Sequence, residues 1–282
     1  MSDTRFIHGF HAINARLRQS AGSVQEIYLA AGRQDGRTRD LVKLAEAQGV
    51  SRAAWLEEWY RERLGGHVVH LINLARLRVA RDLLAAGAGR VVWLDADVLV
   101  FEPEDFAPDA PDGFAYCREV WLDRDADGYT PTYRVNQAAF VADRGNPFLD
   151  YCLWAHESMA RDRPETVRPF GTSTALLSAI HEATPLPLLT NVAMMNPELI
   201  REIADGGDGP ALREYVRRHG YPTQAANMTL SMVGVEYNGA TAGEDVFDAA
   251  CTALVATRGA ALDLARAYAP ASVSSAQSRG TR

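Results

Sequence analysis

The sequence predicts an α/β fold with a mostly parallel sheet and flanking helices. Short apolar runs of strand length alternate with longer segments of helical spacing. The run Arg90–Leu94 (RVVWL) is apolar after its first residue, as expected for a strand that is buried on both faces. Because strands and helices follow one another along the chain, we expect crossover connections between parallel neighbours.

Each element is predicted from its own local pattern. The first two helices are expected over residues 11–18 and 38–48, around a short strand at 24–29, and Gly49 ends the second helix. Gly65 and Gly66 break the pattern before a strong helix at 71–86, which repeats leucine at helical spacing. The later predicted strands cover 113–117, 137–142 and 186–193. The later helices cover 147–161, 171–181, 197–204 and 210–218, and a helix or a pair of helices covers 245–268.

Composition limits the classes of function. With 282 residues, 47% hydrophobic and 23% charged, the chain resembles an ordinary globular protein. A net charge of −7 argues against non-specific binding to nucleic acid or anionic membranes, although residues 1–70 alone carry +2. No apolar run is long enough for a membrane span, and three widely spaced cysteines fit a reduced cytoplasmic setting.

The opening residues carry a family resemblance. Gly9–Ile13 reads Gly-x-His-Ala-hydrophobic, a strand reads Val-Gln-Glu-Ile-Tyr, and a helix ends in Gln48-Gly49-Val50. This stretch of about fifty residues resembles the N-terminal substrate-binding domain of SpoU-type rRNA 2′-O-ribose methyltransferases. The resemblance implies that residues 1–56 hold RNA. The motifs that bind S-adenosylmethionine in that family have no counterpart here, so we expect no methyl transfer by this chain alone.

A second resemblance begins near residue 57. A helix (LINLARLRVARDLL), a short apolar strand (RVVWL) and Asp95-Ala96-Asp97 follow one another, and Tyr133–Asp143 (YRVNQAAFVAD) forms a later strand. This order resembles a GT-A type glycosyltransferase, whose signature is the Asp-x-Asp (DxD) motif. The resemblance implies a metal-dependent enzyme that uses a nucleotide-sugar, with a UDP-sugar as donor and Asn136 near the donor sugar.

The chemistry of such a site would depend on Asp95 and Asp97. If the strand ends at Asp95, both carboxylates lie at the edge of the sheet, where Mn²⁺ or Mg²⁺ could be bound and could neutralise a diphosphate. Arg76 and Asn73 on the preceding helix are candidate substrate contacts. The alternative is a polar turn in which both aspartates accept hydrogen bonds from backbone N–H groups.

Asp123–Gly128 (DRDADG) raises three alternatives. Its spacing matches the opening of an EF-hand loop, but Arg134 stands where the bidentate Glu should be. The other two alternatives are an acidic surface loop and a general base, for which Asp127 is the candidate. His181 and His219 are the available late histidines for a third metal ligand.

Taken together, the sequence predicts a SpoU-like segment at 1–56, a GT-A-like glycosyltransferase domain at 57–270 and a disordered tail at 271–282. The acceptor is open, with bacterial surface glycans as one candidate class. The alternative function is an RNA-binding module derived from a methyltransferase N-terminal domain, or an inactive fusion of the two parts. His8, His11, Trp55, Trp59 and Tyr60 are expected to be structural.

Overall fold

The computed structural model describes residues 10–24, 26–29, 36–54, 68–162 and 171–263. The chain forms two compact units. The first takes the residues up to Val98 with Ala107–Glu119 and Arg134–Leu189, and the second takes Leu99–Phe106, Val120–Tyr133 and the residues from Thr190 onward. The predicted boundary at 56/57 and the predicted disordered tail lie outside the described residues.

The described helices agree in order with the sequence pattern. They are α1 (Phe10–Ser20), α2 (Gly36–Ala47), α3 (Val68–Ala85), α4 (Pro147–Asp162), α5 (Thr174–Ala183), α6 (Pro197–Ala204), α7 (Pro210–His219) and α8 (Glu244–Ala256). None of the helices in this described part is both long and apolar enough to span a bilayer.

The strands are mostly short, with two long exceptions. They are β1 (Glu26–Leu29), β2 (Ser51–Ala54), β3 (Arg90–Leu94), β4 (Val98–Val100), β5 (Phe114–Asp125), β6 (Gly128–Asp143), β7 (Leu188–Leu189), β8 (Val192–Met194), β9 (Ala225–Asn227), β10 (Glu236–Tyr237) and β11 (Ala240–Thr241). The fold is α/β, as predicted.

The N-terminal part of the first unit has a small core of its own. Strands β1 and β2 pair in parallel, with Glu26 opposite Ser51. Leu17 from α1 packs with Leu41 and Ala45 from α2 and with residues of the adjoining strand and turn. Leu41 and Ala45 are four residues apart, so they lie on one face of α2. The sequence pattern of this segment therefore produces a compact strand and helix pair.

The main sheet of the first unit is mixed, so the prediction of a mostly parallel sheet is wrong. Its strand order is β3-β6-β5-β7. Strand β3 is antiparallel to β6, and β5 is parallel to β7. The physical reason is the link between β5 and β6, which is only two residues long and ends at Gly128 with φ +130°. Two residues are too few for the crossover connection that joins parallel neighbours, so β5 and β6 form an antiparallel hairpin.

Helices α3 and α4 pack in the core of the first unit. Leu74 and Leu77 of α3 are fully buried in one cluster with Phe140 of β6 and Leu153 of α4. A buried α3 face is what the leucine spacing predicts, and it fixes which other side chains of α3 point inward. Asn73 and Arg76 are among those buried side chains.

The second unit is built on a three-stranded sheet in the order β4-β9-β8, with β8 and β9 parallel. Helices α6, α7 and α8 contribute to its core. Asn196 caps α6 by accepting a hydrogen bond from the backbone N–H of Leu199, at 2.9 Å. Glu202 accepts from the backbone N–H groups of Ala211 and Leu212, so a carboxylate of α6 caps α7.

Candidate functional site

Asp95 follows β3 directly and is held by three contacts in the first unit. Its backbone N–H donates to the carbonyl of Ala138 at 2.7 Å. Its Oδ1 accepts from the indole N–H of Trp93 at 2.8 Å, and its Oδ2 lies 3.2 Å from Nη2 of Arg76. Burial raises the pKa of Asp95, and the charge of Arg76 opposes that rise. The polar-turn alternative required the carboxylate of Asp95 to accept from a backbone N–H. Its two oxygens instead contact the side chains of Trp93 and Arg76.

Asp97 lies close enough to affect both members of this ion pair. Burial lowers the pKa of Arg76, whereas the charges of Asp95 and Asp97 raise it. The structure thus brings Arg76 together with both predicted carboxylates. The guanidinium already neutralises one of the two charges, so repulsion between the two carboxylates does not by itself require a metal here.

A metal at this position would have few protein ligands. Within the ranges that the structure describes, no group of three or more His, Cys, Asp or Glu side chains could hold a metal ion. Asp95 and Asp97 would be two carboxylate ligands, and the rest of the coordination would come from solvent, as is common for Mg²⁺. The binding of Mn²⁺ or Mg²⁺ by this pair stays a prediction.

The two predicted asparagines have different surroundings. Asn73 is 4% exposed and lies one helical turn before Arg76 on α3. Asn136 on β6 accepts a hydrogen bond from the backbone N–H of Ala138 at 2.6 Å, and its Nδ2 donates to the buried carboxylate of Glu119. Both side-chain groups of Asn136 thus have protein partners. Its role in substrate binding stays a prediction, as do those of Asn73 and Arg76.

The late histidines have structural contacts. His181 accepts a hydrogen bond from the backbone N–H of Leu186 through Nδ1, at 2.9 Å. His219, in the second unit, is 2% exposed, and its Nε2 lies 2.8 Å from the carbonyl oxygen of Thr190. Its ring stacks on Tyr215 with centroids 5.7 Å apart. These contacts account for both residues without a metal.

The acidic stretch around Asp127 forms the turn between β5 and β6, in the second unit. Asp125 accepts from the backbone N–H of Asp127 at 2.9 Å and from the hydroxyl of Thr130 at 2.6 Å. Asp123 accepts from the hydroxyl of Tyr237 at 2.8 Å. The stretch is a hairpin turn whose carboxylates accept hydrogen bonds from protein groups. It is not an EF-hand loop. Asp127 is exposed, and its role as a general base stays a prediction.

The described part of the N-terminal segment presents basic side chains to solvent. Arg16 and Arg18 of α1 are exposed, as are Arg37 and Lys43 of α2. The first turn of α2 contains no acidic residue. His8 lies outside the described residues, as do Trp55, Trp59, Tyr60 and the side chain of His11.

Several buried polar residues were missed by the sequence analysis, and three of them lie in the first unit on β5, β6 and α4. Glu119, Gln137 and His156 are 3%, 1% and 0% exposed. Each lies in a strand or helix among mainly apolar residues. A polar residue at such a position is the signal that could have identified them. The pKa of His156 is lowered to about 4, mainly by burial and to a smaller extent by the charges of His70 and Arg76.

Comparison with known proteins identifies the N-terminal segment. Residues 6–52 match the family model described as RNA 2'-O ribose methyltransferase substrate binding. A protein named 23S rRNA (guanosine-2'-O-)-methyltransferase RlmB from Nitrosomonas europaea is 37% identical over 89 residues, which are 30% of this chain and 34% of the relative. The RlmB of Ralstonia nicotianae is 52% identical over 50 residues, 18% of this chain and 20% of the relative. The RlmB of Neisseria meningitidis is 42% identical over 50 residues.

These matches confirm the SpoU-like segment, and the chain spans between a fifth and a third of the length of these curated relatives. No solved structure matches the chain. The prediction of a nucleotide-sugar-dependent glycosyltransferase is contradicted, because the matched relatives are named as rRNA methyltransferases and the matched family is a substrate-binding domain for RNA modification. A GT-A fold and a nucleotide-sugar partner are likewise without support. The comparisons favour the alternative in which the chain is related to RNA methyltransferases.

Proposed function

We propose that this protein binds RNA through residues 6–52. The observation that carries the proposal is the match of these residues to the substrate-binding family. The relatives that match are named as methyltransferases of 23S rRNA. Structured ribosomal RNA is therefore the proposed ligand class for this chain.

The distribution of charge supports the proposal. Residues 6–52 contain seven basic and four acidic side chains, a net charge of +3. The rest of the chain contains twenty-two basic and thirty-two acidic side chains, a net charge of −10. Phosphate backbones attract the first part and are repelled by the second. The segment that matches an RNA-related family is thus also the basic segment of an acidic protein.

The described side chains provide suitable groups for phosphate contacts. Arg16 and Arg18 extend from α1, and Arg37 and Lys43 from α2, and all four are exposed. Arginine can hold a phosphate with two parallel hydrogen bonds, whereas lysine acts as a point charge. Contacts of this kind fix the position of an RNA backbone but do not read its sequence. We therefore expect the fold of the RNA to matter more than its sequence.

The small core of the segment fixes the two helices that carry these basic side chains. Leu17 lies between Arg16 and Arg18 and is 1% exposed, while Leu41 and Ala45 of α2 are buried in the same small core. Side chains on helices that are fixed by a core lose less freedom on binding than side chains on a disordered tail. The segment can thus bind RNA as a preformed surface.

The test uses the full chain and fragments of 23S rRNA, with binding measured by fluorescence anisotropy. The double variant Arg37→Glu/Lys43→Glu should weaken binding by about tenfold or more, because two attractive phosphate contacts become repulsive. The matched control is Arg81→Glu/Arg217→Glu, which makes the same change in net charge outside the segment. Equal losses in both variants, or no affinity of the wild type for any fragment, would overturn the proposal.

A further inference from the structure

The hairpin that joins β10 to β11 in the second unit turns on Asn238 and Gly239. Tyr237 pairs with Ala240 across the antiparallel register, so these two residues form the whole loop. Their φ angles are +52° and +75°, and a type I′ turn requires positive φ at both central positions. Asn238 is the one asparagine in the 282-residue chain that is followed by glycine.

The side-chain amide of Asn238 is fixed by three hydrogen bonds to protein groups. Its Oδ1 accepts from the backbone N–H of Arg124 at 3.0 Å. Its Nδ2 donates to the carbonyl oxygen of Leu122 and to Oε2 of Glu198, each at 2.8 Å. The amide thus bonds to β5 as the backbone of a neighbouring strand would, and it also connects the hairpin to α6.

The carboxylate of Glu198 makes this position sensitive to charge. Glu198 is 4% exposed, and its Oε1 accepts from the hydroxyl of Tyr129 at 2.7 Å and from the guanidinium of Arg124. Burying a carboxylate costs free energy unless its oxygens are bonded to donors. An acceptor in place of Nδ2 of Asn238 would face Oε2 of Glu198 and the carbonyl of Leu122 without a proton between them.

An asparagine that precedes glycine can lose its amide group without an enzyme. The backbone nitrogen of Gly239 attacks Cγ of Asn238, and glycine has no Cβ to hinder the approach. The new C–N bond closes a succinimide ring, the Cγ–Nδ2 bond breaks, and ammonia leaves with the proton of the attacking nitrogen. Water then opens the ring to give aspartate or isoaspartate.

We propose that Asn238–Gly239 is a deamidation site that is protected while the hairpin contacts β5 and α6. Ring closure requires rotation of the amide, and the three hydrogen bonds oppose that rotation. The reaction therefore proceeds when the hairpin separates from β5. The carboxylate that it leaves is repelled by Glu198, so the original contact does not form again. Deamidation converts a transient opening of this hairpin into a permanent change.

The first test compares the folded full chain with the same chain unfolded in urea, at one pH and temperature. Trypsin releases Asn238 and Asn227 in a single peptide, and mass spectrometry follows both. Asn227 precedes methionine and is the internal control. We expect Asn238 to be converted at least about tenfold more slowly in the folded chain. Equal rates in the two states, or no faster conversion of Asn238 than of Asn227 in urea, would overturn the proposal.

The second test weakens the contact and leaves Asn238 and Gly239 unchanged. The hydroxyl of Tyr237 donates to Asp123 at 2.8 Å and lies 3.2 Å from the carbonyl oxygen of Leu122. Its removal in Tyr237→Phe should increase the deamidation rate of the folded chain by about two- to tenfold. Tyr221→Phe changes an exposed tyrosine of the same unit and should keep the wild-type rate. The same rate in both variants would show that this contact does not protect the site.

The third test uses Asn238→Asp, which carries the charge of the product. Its melting temperature should be lower than that of the wild type by roughly 2–5 °C. Gln48→Glu makes the same change from amide to carboxylate at an exposed position and should melt as the wild type does. A wild-type melting temperature for Asn238→Asp would show that the contact tolerates the carboxylate, and the proposed permanence would be wrong. If Asn238→Asp does not fold, the rates of the wild type and of Tyr237→Phe decide.

Discussion

Nη2 of Arg76 lies 3.2 Å from Oδ2 of Asp95, so a partly buried ion pair joins α3 to the residue that follows β3. Arg76 also donates to the carbonyl of Gln137, and its guanidinium lies 6.0 Å from the centroid of the Trp93 ring. One side chain thus connects a helix to two strands of the sheet. Its removal would leave a partly buried carboxylate without its cation.

Replacing Arg76 should therefore destabilise the fold strongly. We expect Arg76→Met to lower the free energy of unfolding by ~2–4 kcal/mol, because breaking one side of a buried pair leaves the other charge uncompensated. The measurement is urea denaturation. Arg81→Met is the control, since Arg81 is exposed and should change stability by less than ~0.5 kcal/mol. Similar losses in the two variants would show that the ion pair is not important for stability.

Binding of Mn²⁺ by Asp95 and Asp97 is a separate prediction, independent of any enzyme activity. We expect weak binding that Asp97→Asn reduces by at least about tenfold, because loss of even an outer-shell partner costs 10–100-fold in metal affinity. Calorimetric titration of the full chain with Mn²⁺ measures this. Asp82→Asn, on an exposed part of α3, should have no effect. Absence of Mn²⁺ binding in the wild type would show that the prediction is wrong.

Protonation of His156 should make stability depend on pH. Burial lowers the pKa of His156 to about 4, so the unfolded chain, with an ordinary histidine, binds a proton more readily than the folded chain. Stability should fall as pH decreases from about 6.5 to about 4, by at most ~3 kcal/mol for this residue. Urea midpoints across this range measure the effect. In His156→Gln the pH dependence should be smaller than in the wild type, and an unchanged dependence would contradict the assignment.

Local patterns in the sequence predicted most of the elements. The strand Arg90–Leu94 was predicted with its observed bounds, and the helix at 147–161 differs from α4 by one residue. The strands β5 and β6 are much longer than predicted. In β5, charged residues at 118, 119 and 123–125 interrupt the apolar pattern, and the first seven residues of β6 are mostly polar and not buried, so the apolar criterion found only the most apolar stretches. The long hairpin then made the sheet mixed, which no local pattern could reveal.

The last helix shows a similar limit. One helix or a pair of helices was predicted over 245–268, but α8 ends at Ala256, and Gly259 follows with φ +71°. A side chain at Gly259 would collide with the ring of Phe101, so the glycine is required by a contact with a distant residue. The sequence likewise identified Arg76 and Asp95 separately. Their mutual pairing depends on the packing of α3 against β3, which composition and spacing do not determine.

The affinity for RNA should fall steeply with salt concentration if exposed basic side chains bind phosphates. Each phosphate contact that is formed releases counterions, so a plot of log affinity against log salt should have a negative slope. Arg16→Glu should make that slope less steep by about one unit, because one contact is removed. Arg16 is exposed on α1, and the adjacent Leu17 that anchors the helix is unchanged. Filter binding of 23S rRNA fragments at several salt concentrations measures the slopes.

Arg217→Glu, on α7 of the second unit, should keep the wild-type slope. If the two variants have the same slope, the RNA is not held by the basic surface of residues 6–52.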